Sequence, residues 1–221
     1  MQNFATTAPI TTVLDIPAGR VRLVAADRPE TTVEVLPADP AKGRDVKAAE
    51  QVEIAFQDGV LRIEGASKNQ YFGPSGALDV TVHLPAGSDV RAKAASVGLR
   101  GVGRLGDVTV EGAHGEAVFD EVASLHLTAH AGDVSVGRLT GPAEISTGKG
   151  DIRIGEAVRG NLVLSTQAGD ITVGAADGVS ASLDAGTTYG RIRNSLKNAE
   201  GAADLTIHAT TAYGDIDAGS R

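Results

Sequence analysis

The chain has 221 residues, a length that suits one domain or two small ones. It carries 28 glycines, three tyrosines, four phenylalanines, no tryptophan, no cysteine and a formal charge of −8. These numbers exclude a disulfide framework, a thiolate metal site and a cysteine nucleophile, and they argue against a groove built for nucleic-acid phosphates. Apolar residues still make up 42% of the chain, so a core is available, but Ala, Val, Ile and Leu must build it. No segment approaches the ~18 consecutive apolar residues of a membrane span, and Met1 to Ala5 lacks the basic-then-apolar pattern of a leader. The expectation is no membrane span, with cytoplasm as the default location.

Residues 1–90 read as strands of irregular length. Short alternating runs occupy 12–16, 19–24, 32–36, 52–56, 60–64 and 78–84. Turn residues punctuate them at Pro17 to Gly19, Asp58-Gly59 and Pro85 to Gly87. Asp58-Gly59 between two alternating runs predicts a hairpin. Asp45 to Glu50 predicts one helical turn, and Ser67 to Gly76 predicts a loop presenting Tyr71 and Phe72. This part is expected to be continuous with residues 91–221 and to cover one end of them.

Residues 91–221 repeat. One glycine column comprises Gly98, Gly115, Gly132, Gly150, Gly169, Gly190 and Gly214, with spacings of 17, 17, 18, 19, 21 and 24. A second, offset by half a period, runs Gly106, Ser124, Gly141, Gly160, Gly178 and Gly201. Between the columns lie runs such as Leu162-Val-Leu164 and Ile171-Thr-Val173, which alternate with the period of a half-buried strand. Two short strands and two glycine corners per ~18 residues predict an all-β chain, a single-stranded parallel β-helix or β-solenoid of about seven turns. A narrow core of this kind suits small aliphatic residues and explains the scarcity of aromatics. Arg100 breaks the pattern beside Gly98, which leaves the register of the first turn open. The widened intervals after Gly178 and Gly201 read as longer loops on the last two turns.

These residues also carry a resemblance. Phe4, the Leu14 to Leu23 stretch, Leu61-Arg-Ile63, Val80 to Pro85 and the recurring Gly-Asp-Ile/Val units at Gly132, Gly150, Gly169 and Gly214 resemble the DUF4097 β-strand-repeat family, whose members carry an adhesin label. The resemblance spans the chain and implies a parallel β-helical fold. It implies no catalytic residue and no cofactor.

Asp133, Asp151 and Asp170 each follow a column glycine, so stacked turns place them on successive rungs ~5 Å apart. Such a row is either a cation or catalytic carboxylate ladder, or turn chemistry in which Asp bonds backbone N–H groups beside a glycine; the second is the expected role. Tyr189 and Tyr213 hold equivalent places in the last two turns, where a stacked pair either grips a partner or covers the corner. His126 and His130 share a face but are ~13 Å apart along an extended strand, too far to chelate one metal ion, and His83, His114 and His208 read as isolated. No metal site is expected. The reading that fits best is a non-catalytic scaffold or binding module for a protein or glycan. The alternatives are a carbohydrate-active enzyme using the Asp row and a self-assembling structural β-helix. The chain is expected to be a monomer or a weak homodimer through its C-terminal edge.

Overall fold

The computed structural model describes residues 1–65, 76–198 and 203–220. Tyr71 and Phe72 lie outside the described residues, as does Gly201. The chain begins with β1 (Gln2–Ala5), β2 (Thr11–Ala26) and β3 (Glu30–Pro37), followed by α1 (Gly43–Glu50). Then come β4 (Glu53–Gln57), β5 (Val60–Glu64) and β6 (Leu78–Pro85). Asp58 and Gly59 both take positive φ, at 52° and 74°, the geometry of a two-residue type I′ turn. They close the expected hairpin, with β4 antiparallel to β5 from Gln57↔Val60 onward. β3 is likewise antiparallel to β1 and β6. This end of the molecule is therefore finished by antiparallel strands. α1 starts two residues before the expected helical turn and packs against β3 and β6. Its buried Asp45 accepts the backbone N–H of Ala77 at 3.0 Å.

From β2 onward the main pairings are parallel. β7 (Asp89–His114) and β8 (Ala117–Ala131) are long enough to turn a corner and serve two ladders each. The first half of β8 pairs with β9 (Val134–Leu139) and the second with β10 (Ala143–Lys149). β11 (Ile152–Ala157), β12 (Gly160–Ala168) and β13 (Ile171–Ala175) continue the two stacks. On one ladder Val134 pairs with Ile152 and Ile152 with Ile171, steps of 18 and 19 residues. Those three side chains are buried, whereas Ser135, Arg153 and Thr172 between the same columns face out. Period-2 alternation thus becomes stacked strand ladders around one aliphatic core. Phe119 is the one aromatic fully buried among the described residues. It fits because its rung neighbour is Gly101, where an added Cβ would lie 2.7 Å from the ring.

The last two rungs are exchanged. β14 (Ala181–Tyr189), β15 (Ile192–Ser195), β16 (Leu205–Tyr213) and β17 (Ile216–Ser220) follow in sequence. Yet β12 pairs with β16 (Leu162↔Ile207), and β14 lies beyond it (Leu183↔Ile207). On the other ladder β13 pairs with β17, and β15 lies beyond that. The chain steps outward past an empty place, makes the outermost rung, and returns to fill the gap. The wide intervals after Gly178 and Gly201 are filled mainly by the strands β14 and β16, not by longer loops. It also corrects the position of the open end: Asp215 to Ser220 is interior, and the free edge belongs to β14 and β15. The side chains explain the order. Inward positions of the inner rung are Leu205, Ile207, Ala209, Ile216 and Ala218, all at most 1% exposed. The outer rung instead carries Asn194 at the inward place of Ala218, and a buried amide without partners is costly. At the end of the stack Asn194 stays exposed.

Two further expectations shift by one residue. Leu99 pairs with Ala117, so the rung partner of Gly115 is Val97 and not Gly98. Leu125 pairs with Ala143, which puts Ala123, not Ser124, beneath Gly141.

Candidate functional site

The corner between the two ladders holds most of the residues singled out from the sequence. Gly132 has φ +135°, and a Cβ there would sit 2.0 Å from the carbonyl oxygen of Gly115. The neighbouring rungs pack equally closely, so this corner admits only glycine. Each following aspartate then bonds the rung above. Asp133 Oδ1 accepts the N–H of Asp151 at 2.9 Å, and Asp151 Oδ1 accepts that of Asp170 at 2.8 Å. Asp170 Oδ1 accepts the N–H of Asp215 at 2.7 Å, and Asp215 Oδ1 that of Arg191 at 2.9 Å. The carboxylates tie backbone to backbone, which is the turn role, but between rungs rather than within one.

Arginines hold the remaining oxygens at two places. Arg153 reaches Asp151 Oδ2, and Arg191 makes both Nε and Nη2 contacts to Asp215 Oδ2. The backbone N–H of Arg191, and next its guanidinium, hold the Asp215 carboxyl below the usual carboxylate range. Arg191 ends the row because the outermost rung has no further N–H to receive an aspartate.

Threonines complete the corner, a role that the strand pattern alone did not disclose. Thr166 Oγ1 donates to the carbonyl of Gly150, Thr211 to that of Gly169 and Thr187 to that of Gly214, at 3.0–3.1 Å. Thr147, Thr166 and Thr211 are buried. The signal was present as Thr-x-x-Gly, three residues ahead of Gly150, Gly169, Gly190 and Gly214.

Tyr189 and Tyr213 lie on adjacent rungs with ring centroids 5.0 Å apart and planes 7° from parallel. They are 64% and 61% exposed, so the pair stands on the surface instead of sealing the core. Beside it, Ile192 is 45% exposed although its column partners Ile216 and Ile171 are buried. His114 is not isolated: its ring centroid is 4.9 Å from that of His130. His126 pairs with Glu144 and His208 with Asp184, each at 3.3 Å. Among the described residues no three His, Cys, Asp or Glu side chains converge to hold a metal ion. Also among the described residues, no helix is long and apolar enough to cross a membrane.

Parallel rungs, glycine corners and an aspartate row define a β-solenoid-like repeat protein. The chain belongs to the Toastrack DUF4097 family, whose model matches residues 13–220. Solved structures that the chain matches include a "putative cell adhesion protein" from Clostridium sporogenes, with 9% identity, a TM-score of 0.41, and coverage of 100% of this chain and 98% of that one. A "putative adhesin" from Bacteroides fragilis gives 15% identity and a TM-score of 0.42, and a "putative lipid binding protein" from Parabacteroides distasonis gives 10% and 0.43. Each of these two comparisons covers 98% of this chain and 95% of the other. Among curated proteins none matches.

Proposed function

We propose that the protein is a non-catalytic binding module, a parallel β-helix of two strands per turn that presents its outermost rung to a protein partner. The stacked, exposed Tyr189–Tyr213 pair carries this reading. Large, rigid aromatic surface is expensive to leave in water and effective in an interface. The half-exposed Ile192 and the free edges of β14 and β15 lie on the same rung, and an edge of this kind is completed by addition of another strand. That favours a protein over a glycan at this end.

The partner this edge fits is a second copy of the chain. A two-fold axis along the strands would set β14 of one copy beside β15 of the other, so that each open edge completes the other's ladder. Sedimentation across a hundredfold concentration range tests it. The expected result is a mass rising toward the dimer in the wild type and a constant monomer in Ile192→Glu and in Tyr189→Ser/Tyr213→Ser. A wild type that stays monomeric throughout would remove the second copy as partner.

A further inference from the structure

A groove of about 680 Å³ lies on the outer face formed by β6, β2, β7 and β8, far along the stack from the outermost rung, and its lining includes Arg20, Arg22, Thr81, Gly98, Arg100 and Glu116. Two of its arginines are neutralised: Arg20 by Asp79 at 2.7 Å and Arg100 by Asp120 at 2.9 Å. Arg22 is not. Its strand neighbours are Thr81 on one side and Arg100 on the other, and no described carboxylate pairs with it. Asp120 takes Nη2 of Arg100, so of the two neighbours on strands ~4.8 Å apart it is Arg22 that lacks a counter-ion. In a chain of net charge −8, folding gains nothing from leaving that charge unpaired beside a second guanidinium. A bound anion would gain, because each guanidinium offers a planar fork to a carboxylate.

The groove floor supplies an independent observation. Gly98 differs from the corner glycines: its φ lies outside the left-handed region, and the nearest atom to an added Cβ is Glu116 O at 3.9 Å. Nothing in the fold demands glycine there, and glycine within a strand is less stable than a residue with a side chain. Its effect is to leave backbone bare between the arginines and Glu116, a surface on which a ring can lie. The Glu116 carboxylate has no partner among the described residues. It accepts hydrogen bonds from hydroxyls and opposes a chain that is charged at every unit.

We propose that this groove binds a carboxylated sugar, with the uronate carboxylate between Arg22 and Arg100, the ring over Gly98 and the sugar hydroxyls donating to Glu116. The site is separate from the outermost rung and does not depend on self-association there.

Calorimetric titration with cellobiouronate, which has one carboxylate on two sugar units, tests the assignment, with cellobiose as the neutral control and inorganic sulfate as the bare anion. Cellobiouronate should bind and weaken with rising salt, and cellobiose should not bind. Arg22→Gln should lose about tenfold in affinity, the scale of one charge-assisted contact, and Gly98→Val should lose affinity by filling the place of the ring. The melting temperature of Gly98→Val should stay at or above the wild-type value, and Tyr189→Ser/Tyr213→Ser should bind like the wild type. The proposal is overturned by equal binding of cellobiose, by wild-type affinity in Arg22→Gln, or by no binding up to millimolar cellobiouronate. Sulfate binding as tight as cellobiouronate would reduce the site to a simple anion hole and overturn it as well.

Discussion

Asp170 accepts the backbone N–H of Asp215 through Oδ1 at 2.7 Å, although 45 residues separate them in sequence. Between them the chain builds the outermost rung, whose Arg191 then closes the row on Asp215. A solenoid that grew strictly in chain order would have joined Asp170 to Arg191 directly. The protein's free end is consequently made by an internal segment, and the last strands of the chain lie within the stack.

Hydrogen exchange should reveal the swapped order of the rungs. Amides of 205–211 sit between two strands and should be protected to the same degree as those of 162–166. Amides of 181–195 should exchange faster, because opening the end rung breaks one ladder instead of two. Protection that falls steadily toward the C-terminus would contradict the pairing.

The corner glycine and the groove glycine should respond in opposite ways to alanine. Gly132→Ala places a Cβ 2.0 Å from a carbonyl oxygen at a φ of +135°, and should cost about 3 kcal/mol or more through overpacking and backbone strain. Gly98→Ala meets neither obstacle and should stay within ~0.5 kcal/mol of the wild type. Urea midpoints of the two variants measure the difference.

Removing one aspartate of the row should loosen the stack without abolishing it. Asp151→Ala deletes the acceptor for Asp170 N–H and should cost about 1 kcal/mol. Asp151→Asn keeps an oxygen in place and should recover part of that loss. A wild-type melting temperature that rises by many degrees with calcium, and a response lost in Asp151→Ala, would instead assign the row to a cation.

Acid should weaken the outermost rung through Asp215. Its folded carboxyl titrates below the ordinary value of 3.8 because the Arg191 N–H and guanidinium stabilise the charged form. A depressed folded value means that stability is present above the unfolded pKa and is lost as pH falls through the folded one. Thermal melts between pH 5 and pH 2 should fall more steeply for the wild type than for Asp215→Asn. Parallel curves would show that the pair contributes nothing to folding.

Much of the architecture was legible because it depends on local periodicity. Alternation at Leu162-Val-Leu164 or Ile171-Thr-Val173 identifies inward and outward faces, and Asp58-Gly59 fits only a tight turn. The Asp row was legible as turn chemistry for the same reason, since a short carboxylate beside a glycine corner has backbone N–H groups within reach. The Thr column was harder to read. A threonine in a strand is common, and only its depth in the corner shows that Thr166 and Thr211 bond glycine carbonyls. Arg22 and Gly98 were invisible as a pair, because 76 positions separate them and no local rule joins them.

By itself the sequence determined that this chain makes glycine-cornered strands with a small aliphatic core. These features depend on residues a few positions apart. Tertiary structure alone decided which rung lies beside which. The rungs ending in Tyr189-Gly190 and Tyr213-Gly214 present nearly the same strand pattern, so either could continue the stack locally. The choice rests on the whole inward set of each rung: the outer one includes Asn194, whose amide needs water, and the inner one is apolar except for Thr211, whose hydroxyl is satisfied by the Gly169 carbonyl. Burial is a property of the assembled stack, and only there does the difference between Asn194 and Ala218 acquire an energy.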